Sequence, residues 1–95
     1  MISSLSQSVR PATADRVFRQ AENLHQQGHL DQAIAVLSSF VSSHDSFAEG
    51  HYVLAIYLRM AGKYAEARDH NQRAIALHAA FPEAYINLGE IFGAP

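Results

Sequence analysis

Six histidines, at positions 25, 29, 44, 51, 70 and 78, are the side chains of this 95-residue chain best suited to acid–base or metal chemistry. Imidazole titrates near neutrality and is a common zinc ligand. His25 and His29 stand four apart, the spacing at which helical side chains share a face, but Gly28 ends the helix between them and removes that relation. His44, His51 and His78 are expected at one end of a helical bundle, where one helix finishes, the next begins and a later one ends. Three imidazoles are enough to hold zinc, yet the chain lacks the sharp ligand spacing of zinc sites. Surface or half-buried histidines are therefore expected, with no metal and no cofactor. Nucleophilic chemistry has less to build on. There is no Gly-rich phosphate loop, no H-E-x-x-H pair and no nucleophile elbow, and the serines gather in the first ten residues and in the 38–46 region with no orienting triad. A non-enzymatic role is expected.

Composition narrows the partners. Seven Lys+Arg against nine Asp+Glu leave a formal charge of −2, which offers no footprint for nucleic acid or for an anionic membrane surface. Cysteine is absent, so neither a disulfide frame nor a thiolate site contributes. The opening residues lack a basic leader and an apolar run of signal-peptide length, and no stretch approaches the ~18 apolar residues of a membrane span. The expected compartment is the cytoplasm. A chain of this length makes one domain that buries roughly 60% of its unfolded surface.

The elements that must position any site follow from a self-similarity at a shift of 34 residues. Ala21, Ala55 and Gly89 share that spacing, as do Leu24, Leu58 and Phe92, the trio Phe18, Tyr52 and Ile86, and the pairs Gly28/Gly62, Leu30/Tyr64 and Ala33/Ala67. Such a period marks a helical solenoid, in which each unit buries its apolar face against a neighbour. After a flexible serine-rich leader over 1–12, Thr13 is expected to cap a helix over 14–27 that Gly28 stops in the left-handed conformation. A second helix restarts through Leu30 and Asp31. Ser46 and Glu49 form an S-x-x-E capping box opening a third helix that runs to about Met60. Gly62 stops it, a fourth helix covers about 64–79, and Pro82 starts a fifth over 83–92. The expectation is an all-α solenoid of stacked antiparallel helix pairs with about five helices. Alanines 21, 33, 55 and 67 allow close helix approach, with Leu24, Leu58, Leu30 and Tyr64 filling the space around them.

Over 48–81 the chain resembles a tetratricopeptide repeat, carried by Leu54, Ala55 and Leu58, the Gly62-Lys63-Tyr64 turn, and Ala67 and Ala74. Residues 14–47 resemble a second copy and 82–95 the opening helix of a third, giving a single domain over 13–95. The pattern departs at His51, where the family usually has a large aromatic, and at Gln20, where Leu54 and Leu88 stand in the other copies.

Polar Arg16 and Asn23 occupy the stacking face of the first unit, where the second has Gly50 and Tyr57, so the amino end is expected to be a terminus of the stack. At the other end Tyr85, Leu88 and Phe92 lie on the face that a following helix would cover. They are expected to meet a second copy of the chain, another protein or a further segment. The resemblance implies that partners bind the inner face of the first helix of each pair. Here that face holds Phe18, Glu22 and His25, then Glu49, Tyr52, Ile56, Arg59 and Met60, then Ile86 and Glu90. Phe18 and Glu22 stand where family members that grip acidic chaperone tails use Lys and Asn, so an acidic tail is not expected. A helix or extended peptide with apolar anchors and some positive charge fits better. The expected function is protein or peptide binding in this groove, the alternatives being a homodimer through the uncovered last helix or the tethering domain of a larger enzyme.

Overall fold

The structure, a computed structural model, describes residues 11–77. All regular secondary structure among them is helical: α1 (Ala14–Gln26), α2 (Leu30–Ser43), α3 (Ala48–Met60) and α4 (Tyr64–Leu77). Residues 1–10 of the leader expected over 1–12, the fifth helix expected over 83–92 and residues Tyr85, Ile86, Leu88, Glu90 and Phe92 lie outside the described residues.

The 34-residue period in the sequence returns as a period in the backbone. Gly28 and Gly62 adopt φ of 86° and 80°, which an L side chain rarely tolerates. Around Gly28 the amide of Gly28 donates to His25 O at 3.0 Å and that of His29 to Leu24 O at 2.8 Å. Around Gly62 the same two bonds run from Gly62 to Arg59 O at 3.0 Å and from Lys63 to Leu58 O at 2.9 Å. Both turns are Schellman motifs, which satisfy the orphan carbonyls of one helix while reversing the chain into the next. A Cβ added at either glycine meets nothing within 4 Å, so the requirement for glycine is conformational and not steric. Gly28→Ala and Gly62→Ala are each expected to lower stability by about 1–2 kcal/mol, read as a lower urea midpoint.

Each turn closes a hairpin, α1 with α2 and α3 with α4, and α2 packs against α3 between them. Ala21 and Ala55 are fully buried at equivalent positions, and so are Ala33 and Ala67, as close helix approach demands. Gly50 brings the start of α3 against the end of α2, where a Cβ would stand 3.4 Å from Phe40 Cε2 and 3.5 Å from Val41 Cγ2. Aromatic rings fill the junction. Phe18 meets Phe40 edge-on at 5.8 Å and lies parallel to Phe47 at 6.4 Å, while Phe40 and Phe47 meet edge-on at 6.2 Å. Farther along, His25 of α1 meets the buried Tyr57 of α3 edge-on at 5.7 Å. Because Phe18 precedes His25 as Phe47 precedes Tyr57, α1 and α3 run in the same direction. No described helix is long and apolar enough to cross a membrane.

Three local expectations need correction. Helix α3 begins at Ala48 with Phe47 as its cap residue, extended at φ −90° and ψ 105°, so Ser46 is not the cap of a capping box. The packing of Phe47, parallel to Phe18 and edge-on to Phe40, decides where the chain enters the helix, and partial burial of a ring outweighs a serine cap. Thr13 holds the cap position of α1 with no side-chain cap hydrogen bond, because its backbone is already helical at φ −91° and ψ −2°. Cap side chains engage from extended backbone. Tyr64, expected to fill space between helices as Leu30 does, is 55% exposed as the first residue of α4, beside the turn.

The two hairpins differ in what they bury. Helix α2 buries Ala33, Leu37, Phe40 and Val41, whereas α4 buries Ala67, Asn71 and Ala74. Asn71 stands 34 residues after Leu37, and both are fully buried.

Candidate functional site

The most concentrated polar chemistry among the described residues sits where the α2–α3 loop meets α3 and α4. His51, one turn into α3, is buried at 2% exposure. Its Nε2 lies 2.8 Å from the backbone carbonyl of Asp45. A carbonyl only accepts, so Nε2 carries a proton and donates it. In neutral His51 the other ring nitrogen is then a bare acceptor. His51 Nδ1 lies 3.0 Å from His70 Nδ1 on α4, so the Nδ1–H of His70 donates to it. The rings are near-parallel at 27° with centroids 5.2 Å apart. Asp45 also accepts from Arg73, with Nη2 at 2.6 Å from Oδ2. The loop, α3 and α4 are thus tied through one buried imidazole.

Electrostatics follow from that placement. Burial, foremost, and the neighbouring His51 lower the pKa of His70 from its ordinary value, against the pull of Asp69, Glu66 and Asp45. The hydrogen bond from Arg73 and its charge hold the Asp45 carboxyl below the usual range. Burial, helped by Glu22, raises the Tyr57 hydroxyl.

The sequence placed His44, His51 and His78 at one end of the bundle, and of these His44 and His51 lie at the junction of α2 with α3. His44 closes α2, stacking on Phe40 at 4.6 Å and donating from Nδ1 to Phe40 O at 3.2 Å. His78 lies outside the described residues. His51 takes His70 as its partner. The available signal was the repeat itself, because His51 and His70 stand 34 residues after Val17 and Val36, so the second hairpin holds two imidazoles where the first has two valines. No group of three or more metal-ligating side chains occurs among the described residues.

The expected groove residues divide into two kinds. Phe18 and Ile56 are half-buried and pack on the core, and Phe18 belongs to the aromatic junction. Glu22 and His25 are exposed on α1 and Met60 is 43% exposed at the end of α3, with Glu49, Tyr52 and Arg59 of intermediate exposure between them. Tyr57 ties the two helices, meeting His25 and sensing Glu22, so Glu22 and His25 border α3. Arg16 and Asn23 line a separate open depression on α1, as polar cover of that helix requires.

No family model matches this chain, and no curated protein matches it significantly.

Proposed function

We propose that this chain is a non-enzymatic protein-interaction module, a tetratricopeptide-like solenoid of the cytoplasm that holds a partner peptide or helix along the face shared by α1 and α3. The observation that carries the reading is that α1 meets the α3 segment at two points in the same chain order, Phe18 on Phe47 and His25 on Tyr57. Equivalent helices running the same way are what repetition of one hairpin produces, and they leave a continuous surface. That surface carries acidic Glu22 and Glu49 beside apolar Tyr52, Ile56 and Met60, which suits a ligand with apolar anchors and positive charge. The third unit of the solenoid, with Ile86 and Glu90 extending the surface, is part of the same proposal.

Phe18 is a poor position at which to test binding, because its ring supports the core. Glu22→Lys combined with Met60→Glu alters exposed side chains only. Affinity capture with cross-linking and mass spectrometry is expected to show a partner whose recovery falls at least about tenfold with this variant, or about 1.4 kcal/mol of binding. Gln32→Lys, on the exposed part of α2, should leave recovery unchanged. Equal recovery with both variants, at matching circular dichroism, would reject the groove.

A further inference from the structure

We propose that His51 and His70 form an acid-sensitive latch between α3 and α4, which accepts one proton without rearrangement and rejects a second, so that acidification through the histidine range parts the helices at this end. The argument begins with proton positions. The Asp45 carbonyl fixes a hydrogen on His51 Nε2, and the 3.0 Å contact between the two Nδ1 atoms has room for one hydrogen. In the neutral pair that hydrogen belongs to His70. A first added proton goes to His70 Nε2, leaves the Nδ1–H donor in place and is met by Glu66, Asp69 and Asp45. A second must go to His51 Nδ1. Two N–H groups would then face each other, and two cations would stand in contact with one of them 2% exposed. The pair must separate to take it.

The charged surroundings come from each element packed on the pair. Helix α4 brings Glu66, Asp69 and Arg73, and the α2–α3 loop brings Asp45, whose carboxylate Oδ1 lies 3.5 Å from His51 Nε2. Helix α2, also packed on α3, carries its acid, Asp31, in its first turn at the far end. His44 at its near end is committed to the Phe40 carbonyl. Asp45 answers to Arg73, and its lowered pKa places its own protonation well below the histidine range. The unfolded chain protonates His70 near pH 6.5, whereas burial, foremost, and the neighbouring His51 disfavour that proton in the fold. The unfolded state therefore holds more protons below that pH. Stability is complete above about pH 7 and falls as the pH drops through 6.5 toward the folded values, with the folding constant losing up to about tenfold per pH unit for each proton taken up.

Ring-nitrogen NMR of the 15N-labelled chain, with urea unfolding from pH 8 to pH 5, tests this. At pH 8 the expected tautomers are Nε2–H for His51 and Nδ1–H for His70, and the first proton should appear on His70 Nε2 with the fold intact. The double variant His51→Val with His70→Val restores the residue types of Val17 and Val36, and its urea midpoint should fall less between pH 7 and pH 5 than that of the parent. Two histidines titrating independently near their ordinary value in a folded chain would overturn the latch, as would equal acid sensitivity in the double variant. Zinc chloride that shifts both imidazoles and raises the midpoint would also overturn it, in favour of a metal site. If the double variant does not fold, the tautomers of the parent decide alone.

Discussion

Leu54→Ala is expected to lower the folding free energy by about 2–5 kcal/mol, enough to leave much of the chain unfolded at 37 °C. Leu54 lies on α3, the helix that packs on both α2 and α4, and is 1% exposed. Removing its three terminal carbons loses their transfer energy and leaves a cavity. The surrounding close-packed interior relaxes only partly around such a cavity. A domain of this size has on the order of 5–15 kcal/mol in total, so the loss is a large share. Urea unfolding at pH 7.5 should show a lower midpoint with an unchanged slope. A change below about 1 kcal/mol would mean that α3 is not central to the core.

The second large effect is of the opposite kind. Ala55→Leu is expected to lower stability by about 1–3 kcal/mol, although it adds apolar volume. Ala55 is fully buried where α3 is enclosed by neighbouring helices, and its equivalent Ala21 is equally buried in the first hairpin. A leucine there must push helices apart or leave its preferred rotamers. Thermal unfolding should show a lower Tm, by several degrees for each kcal/mol in a chain of this length. If Ala55→Leu raised the Tm, the alanine pairs would be fillers of a loose interior and not the means of close approach.

How far the fold was legible in the sequence depends on whether a feature is local. Gly28 and Gly62 could be read as left-handed stops because one residue in one conformation explains each, and the φ angles of 86° and 80° agree. The ends of α1 and α3 followed within a residue. The start of α3 was misread because a capping box is a local preference, whereas the packing of Phe47 against Phe18 and Phe40 involves residues from two other parts of the chain. The same limit hid the His51–His70 pair. Nineteen residues and a hairpin turn separate the two, so their meeting depends on the register of α4 against α3. Phe18 and Ile56 were assigned to the groove from what the family resemblance implies, and how far each also packs on the core depends on the neighbour that covers it, which one helix's pattern does not carry.

Asn71 and Ala74, buried on α4 where α2 buries Leu37 and Phe40, make cohesion uneven along the chain. The first hairpin is held by hydrocarbon, whose hold weakens in the cold and is indifferent to acid. The second adds, beside Leu54 and Leu58, polar bonds that answer to protons, so the join between α3 and α4 is the part of the fold whose strength follows the acidity of its surroundings.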